Sequence, residues 1–234
     1  MGSLAGKVYV VSGAAGAIAE AIGETFHAAG VKLALLDREE RLLKERAARW
    51  SALPLAVDLA QAEAAREALA RVERELGPVD GLIHTVGGFA AGPLAEATPE
   101  LFDTMFDLNV RTLFHLVKAA LPGLLARQEG FIAGIAAGPA WSGRGPGMAL
   151  YAASKAAMAT LLRSLEGELA GSRIRVAILY PMGTVDTPAN RREMPGADVR
   201  LWIDPRELAE TLLFAATRGE RGRLVELPVY PGFS

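Results

Sequence analysis

The stretch "KVYVVSGAAGAIAE", residues 7 to 20, decides the fold. Lys7 to Ser12 is a run of β-branched and aromatic residues of strand length, Gly13 interrupts it, and a helical pattern begins near Ala17 and runs to Ala29. A strand-to-helix turn built from small residues brings backbone amides of the helix N-terminus close to an anion, such as the pyrophosphate of a dinucleotide. A lone Gly-x-x-Gly pair is weak support, because a tight turn packed with small residues looks the same.

The pattern repeats outward from this turn. Strand-like runs at Val31 to Leu36, Leu53 to Val57 and Val79 to Val86 alternate with amphipathic stretches, "REERLLKERAARW" and "AQAEAAREALARVERELG", the latter closed by Gly77-Pro78. Three βαβ units follow, the pattern of a parallel sheet with crossover helices. Thr98-Pro99-Glu100 opens a helix with a capping hydroxyl before proline, and its apolar pattern runs to about Leu125. Phe131 to Ile135 and Ile174 to Leu179 read as further strands, Tyr151 to Ala170 as a helix, and Leu224 to Val229 as an edge strand. Asp204 to Glu207 has the spacing of a capping box.

No linker or long-period repeat divides the chain, so a single Rossmann-fold domain, doubly wound with helices on both faces, is expected over residues 1–234. With 234 residues and 51% hydrophobic content, the chain can bury a large core. It has no apolar run of the roughly 18 residues a membrane span needs and no leader pattern at its start, which predicts a cytoplasmic protein without a membrane partner. With no cysteine there is no disulfide and no thiolate chemistry, and His27, His84 and His115 are too far apart for a local metal motif. Net charge is −2 and the basic residues are scattered, so nucleic acid is not an expected partner. A small molecule is.

Asp37 follows the second strand about 20 residues beyond the glycine turn, where a carboxylate can accept both ribose hydroxyls of an adenosine moiety. Helix capping is its alternative role. Asp58, beside Leu59, follows the third strand and can accept from the adenine amino group or cap the next helix. "TVGG", Thr85 to Gly88, adds a second glycine-rich turn on the same edge of the sheet. Further on, Tyr151 and Lys155 stand four apart at the start of a helix, on one face. An ammonium beside a phenol favours the phenolate, so the pair is expected to lower the Tyr151 pKa. A surface i,i+4 pair is the plainer reading.

Taken in this order, the motifs resemble those of the short-chain dehydrogenase/reductase family across nearly the whole chain. "SGAAGAIA" is similar to that family's Thr-Gly-x-x-x-Gly-x-Gly turn, "TVGG" to its Asn-Asn-Ala-Gly and "YAASK" to its active-site signature. Asn109 in "FDLNV" resembles the asparagine of the catalytic set, and Pro181 to Thr187 the stretch below the nicotinamide. The resemblance implies Tyr151, Lys155 and Asn109 as catalytic residues. It implies cofactor contacts at Gly13, Ala15, Gly16, Ala17, Ile18, Asp37, Arg38, Asp58, Leu59, Val86, Gly87, Gly88, Pro181, Gly183 and Thr184, with Tyr151 and Lys155 shared. It also implies a homodimer or homotetramer, with the helices near Pro99 to Leu125 and Tyr151 to Ala170 as candidate interfaces.

The departures carry information. Ala17 and Ala19 replace glycines, Thr85 and Val86 replace Asn and Ala, and the serine expected at Ala137 or Gly138 is missing. Ser142 is nearby in sequence only. "DTPANRREMPGADVRLW", Asp186 to Trp202, resembles a segment of the quinonoid dihydropteridine reductases within the family, which also pair Tyr and Lys without the serine. That resemblance implies NADH reducing a conjugated imine or quinonoid acceptor, with Phe89 and Trp141 as flat apolar walls or as ordinary packing. Asn109 and a Pro181 loop one residue longer depart from it. NAD(H) rather than NADP(H) is expected because the Asp37 carboxylate would stand against a 2′-phosphate, with Arg38 the residue that could offset it. A carbonyl reductase with a displaced serine and a non-catalytic NAD(H)-binding module are the alternatives.

Overall fold

A computed structural model describes residues 2–219 and 221–232; Met1, Glu220, Phe233 and Ser234, the remainder of the expected domain, lie outside it. Seven strands form one sheet: β1 (Val8–Ser12), β2 (Lys32–Asp37), β3 (Leu53–Ala56), β4 (Val79–His84), β5 (Glu129–Ile135), β6 (Arg173–Pro181) and β7 (Glu226–Val229). Their order is β3-β2-β1-β4-β5-β6-β7 and every pairing is parallel. The chain reverses its winding between β1 and β4, which opens a crevice beyond the carboxyl ends of these strands, where ligands of open α/β sheets bind.

The two-residue period of β1 builds both halves of the core. Val8 and Val10 join one apolar cluster, with Leu69 of helix α3 (Ala62–Leu76), Leu116 of α5 (Thr112–Arg127) and Met158 of α7 (Ala149–Glu168). Tyr9 and Val11 join the other, with Phe26 of α1 (Ala17–Ala28), Leu43 of α2 (Glu40–Trp50) and Leu212 of α9 (Pro205–Ala216). Strands buried on both faces need apolar residues at successive positions, hence the near-continuous runs read as strands. Truncating a fully buried side chain such as Leu116 to alanine would cost about 2 to 5 kcal/mol.

Several boundaries differ from expectation. β2 includes Asp37, β4 stops before Thr85, and β5 and β6 are longer than their apolar runs because pairing with one another continues past them. The helix expected from Thr98 to Leu125 is α4 (Pro99–Phe106), a π-helical turn (Asp107–Arg111), then α5. Thr98 caps α4 as expected, its side chain accepting from Leu101 N–H at 3.2 Å. The capping box at Asp204 does not form: its carboxylate accepts from Arg206 N–H at 2.8 Å, and Glu207 N–H donates to the Asp204 carbonyl. Two short helices, α6 (Gly138–Ser142) and α8 (Pro188–Glu193), lie in segments with no expected element. Among the described residues, no helix is long and apolar enough to cross a membrane.

Candidate active site

The turn after β1 is shaped by its backbone bonds. Gly13 has φ +71, and a Cβ there would lie 2.7 Å from both Thr85 Oγ1 and Val86 N, so only glycine lets β1 and β4 end this close together. Gly16 N–H closes onto the Gly13 carbonyl at 2.9 Å, and Thr85 Oγ1 donates to the Ser12 carbonyl at 2.8 Å. No side chain caps α1. The amides of Ala17, Ile18 and Ala19 therefore emerge from its N-terminal end without an intrahelical acceptor, the condition for anion binding.

A cleft of about 520 Å³ lies in front of this turn. Of the residues expected to hold a cofactor, Gly13, Gly16, Asp37, Arg38, Asp58, Leu59, Val86 and Gly87 line it, with Thr85 of the second glycine-rich turn, joined by Thr104, Asp107, Leu108 and Thr112, which carried no signal in the sequence. The volume suits an organic ligand. Asp37 is fixed at the rim by Ala15 N–H (2.9 Å), Arg38 N–H (2.7 Å) and Glu39 N–H (3.1 Å). Oδ1 accepts two of these bonds and Oδ2 one, which leaves one acceptor position on Oδ2 for a ligand hydroxyl. Asp58 likewise accepts from Ala60 N–H at 3.0 Å while lining the cleft. Ala15, Ala17, Ile18 and Gly88 are not among the residues that line it.

Next to Gly87 the candidate catalytic residues converge. A Cβ there would lie 2.7 Å from Asn109 Oδ1 and 2.8 Å from Lys155 Nζ. Asn109, buried in the π-helical turn, exchanges two hydrogen bonds with Gly88, accepting from its N–H at 3.0 Å and donating to its carbonyl at 3.1 Å. It also donates to Ser154 Oγ at 2.9 Å, and Ser154 donates to the Tyr151 carbonyl at 2.9 Å. Ser154 was legible in "YAASK", one turn from Tyr151, but went unread. π-helical turns occur often at functional sites. Here Thr112 Oγ1 donates to the Leu108 carbonyl at 2.7 Å, leaving its lone pairs to accept from His84 Nε2 at 3.2 Å. That makes Ser12 Oγ the donor to His84 Nδ1 at 2.8 Å. Burial, and then the Lys155 charge, push the His84 pKa down to about 3, so the ring is neutral.

Tyr151 and Lys155 share a face of α7, but the expected lowering of the phenol does not occur. Lys155 Nζ donates to the Ile135 carbonyl at 2.8 Å. Burial lifts the Tyr151 pKa to about 12, and burial lowers Lys155 to about 8. Desolvation outweighs the pair's attraction, because both groups leave water without touching.

No hydroxyl replaces the missing serine from the neighbouring loop. Ala136 and Ala137 are buried at the end of β5, and Ser142 is exposed, with its hydroxyl engaged by Arg144. Phe89 packs edge-on to the Tyr151 ring, centroids 5.0 Å apart. Trp141 packs against Tyr180, centroids 5.0 Å apart, and like Phe89 is not among the residues that line the cleft. Pro181, Gly183 and Thr184 leave β6 beside β5: the Pro181 carbonyl is 3.4 Å from a Cβ built at Gly138. They are not part of the cleft lining. Within the Asp186 to Trp202 segment, the distinctive residues serve local structure: Arg191 pairs with Asp186 at 2.6 Å, Asn190 Nδ2 donates to the Val185 carbonyl at 2.8 Å, and Asp198 accepts from Arg200 N–H at 3.0 Å.

The crevice has the features a nicotinamide dinucleotide needs: unpaired helix amides, a carboxylate at the ribose end, and a phenol and ammonium beyond the second glycine turn. Comparison with known proteins agrees. Residues 7–197 match the model of the family described as short chain dehydrogenase. An uncharacterized oxidoreductase of Staphylococcus saprophyticus is 32% identical over 99% of this chain and 100% of its own length. A metagenomic short-chain oxidoreductase solved with NADP is 25% identical, with a TM-score of 0.84, over 99% of this chain and 100% of that one. An alcohol dehydrogenase from the archaeon Thermococcus sibiricus, solved with 5-hydroxy-NADP, is 25% identical with a TM-score of 0.83 over 96% of each chain. The chain therefore belongs to the short-chain dehydrogenase family and is an oxidoreductase of that type.

Proposed function

We propose that the protein reduces a conjugated imine or quinonoid acceptor, such as quinonoid dihydropterin, using NADH, with Tyr151 as the proton donor. One observation carries the reading: buried alanines stand where a second hydroxyl would be expected, and Ser142 turns away from the site. When hydride adds to a ketone, charge collects on one oxygen, and losing a donor to such an oxygen costs about 10² to 10³ in rate. A conjugated C=N or quinonoid acceptor spreads that charge over its ring system. It needs one proton and no oxyanion partner.

Bound NADH supplies the hydride. Tyr151 holds the proton, since a phenol with a pKa of about 12 stays protonated through the neutral range. It transfers that proton to the acceptor nitrogen or oxygen and regains one from solvent, so hydride and proton together complete a two-electron reduction. Lys155, beside Gly87, is suited to hydrogen-bond the nicotinamide ribose. Asn109 keeps the Gly88 backbone fixed.

NAD(H) preference is part of the proposal. It is supported by Asp37, whose carboxylate would stand against a 2′-phosphate; Arg38 on the same rim is the group that could offset it. The two structural relatives above carry NADP-type ligands. A higher kcat/KM with NADPH than with NADH would overturn this assignment. A homodimer or homotetramer is also proposed, on the exposed aromatic face of α4 and α5, where Phe102 and Phe114 are 46% and 47% accessible. Sedimentation as a monomer at micromolar concentration would contradict it.

The experiment for the reaction is NADH consumption with a panel of quinonoid, imine and carbonyl acceptors. Preference for carbonyls would favour the second reading, a carbonyl reductase. The likeness to an alcohol dehydrogenase structure is the observation on that side. No turnover alongside tight NADH binding would mark a non-catalytic module.

A further inference from the structure

The Arg46 guanidinium of α2 is buried, only 7% exposed, against the back of the glycine turn. Nη1 donates to the carbonyl of Ala14 and, at 2.8 Å, to that of Gly16, while Nη2 donates to Glu20 Oε2 at 2.9 Å. Its burial follows from the close approach of α2 to α1. A Cβ at Gly23 would lie 2.3 Å from the Trp50 ring, so the glycine lets the two helices meet.

In a planar trans peptide, C=O and N–H point in opposite directions. With the Gly16 carbonyl drawn toward Arg46, the Ala17 N–H is turned the other way, out of the N-terminal end of α1. The Ala14 carbonyl, drawn the same way, sends the Ala15 N–H to Asp37 Oδ2 at 2.9 Å. One side chain thus bonds both peptide planes of the turn, each of which has a second partner, the first through Ala15 N–H to Asp37 and the second through Glu20 N–H to the Gly16 carbonyl at 3.0 Å. Its charge is not fully neutralised, because Glu20 is shared with Arg49 at 2.6 Å: two cations face one carboxylate. The remaining positive charge sits directly behind the candidate anion site.

We propose that Arg46 is a positioning residue for the cofactor's diphosphate, holding the turn so that the amides opening α1 point at it and adding positive potential behind them. The proposal rests on the reading of this crevice as the dinucleotide site. Asp37 does not depend on Arg46 in the same way, since Arg38 N–H and Glu39 N–H hold it at 2.7 and 3.1 Å. Diphosphate binding and adenosine binding should therefore separate.

Isothermal titration of the wild type, Arg46→Met, Arg46→Lys and Arg49→Met with ADP and with adenosine tests this. Arg46→Met should weaken ADP about tenfold or more while changing adenosine less than about threefold. Arg46→Lys should fall between, because an ammonium keeps the charge but lacks the planar fork that reaches the turn's carbonyls with one nitrogen and Glu20 with the other. Arg49→Met, which removes a charge from the same carboxylate without touching the turn, should bind ADP within about threefold of wild type. Unchanged ADP affinity in Arg46→Met overturns the proposal, and so does an equal loss of ADP and adenosine, which would mark a merely structural role. If Arg46→Met does not fold, the same criteria applied to Arg46→Lys decide. A wild type that binds neither ADP nor NADH removes the cofactor reading itself, a result distinct from variants that bind as the wild type does.

Discussion

Lys155 Nζ donates to the Ile135 carbonyl at 2.8 Å, at the end of the strand that leads to the missing serine. Its proton is thus held by a neutral acceptor and by no carboxylate, in a site 6% exposed. Burial lowers its pKa to about 8. Tyr151 lies near 12 and His84 near 3, so among these three groups only Lys155 titrates in the ordinary working range.

Cofactor binding should follow that titration. If the ammonium form holds the nicotinamide ribose, kcat/KM for NADH should be level below about pH 8 and fall about tenfold per pH unit above it, as for any single essential proton. A profile flat to pH 9.5 would contradict the role given to Lys155.

Stability should move the other way. The ordinary lysine pKa is 10.5, so the unfolded chain holds this proton more tightly between about 8 and 10.5. The penalty is fully present below pH 8 and is relieved as pH rises through that window. Lys155→Met removes this penalty but leaves the Ile135 carbonyl without its donor, a cost of about 1 to 3 kcal/mol at any pH, so its stability relative to wild type should be higher at pH 7 than at pH 10.5, while activity is lost. Paired thermal melts at the two pH values check this; a difference between variant and wild type that does not change with pH would refute it.

Gly87→Ala should damage chemistry more than folding. Its methyl would meet Asn109 Oδ1 at 2.7 Å and Lys155 Nζ at 2.8 Å, two side-chain ends that must move apart to admit it. Displacements approaching 1 Å at a reacting site can cost about 10²-fold. Turnover should drop by about that factor, with Tm changed by only a few degrees. Unimpaired turnover would show that the Asn109 and Lys155 geometry does not matter.

How far the sequence was legible follows from the range of each signal. The glycine turn, Asp37 at the end of β2, and β7 at the sheet edge all register in local pattern, because strand period and turn chemistry are short-range. Arg46 was invisible for the opposite reason: within "KERAARW" it reads as one more solvated charge, and only the contact of Gly23 with Trp50 buries it. The π-helical turn at Asn109 interrupts no apolar pattern. The sequence left Trp141 open between wall and packing, since its neighbour Tyr180 lies on a strand distant in sequence. The Tyr151 pKa was expected to fall because four-residue spacing suggested charge contact, whereas desolvation prevails once Lys155 turns to Ile135.

On the proposed reading, the Tyr151 and Lys155 pair works without the serine because the acceptor is conjugated. The most direct measurement is kcat/KM at fixed NADH for quinonoid dihydropterin against simple ketones and aldehydes, in the wild type, Tyr151→Phe and Ala137→Ser. The wild type should prefer the pterin by about a hundredfold or more, the size of a lost oxyanion donor. Tyr151→Phe should abolish most of that rate, and Ala137→Ser should not improve it. Ketones serving equally well or better, or pterin reduction untouched in Tyr151→Phe, would contradict the account.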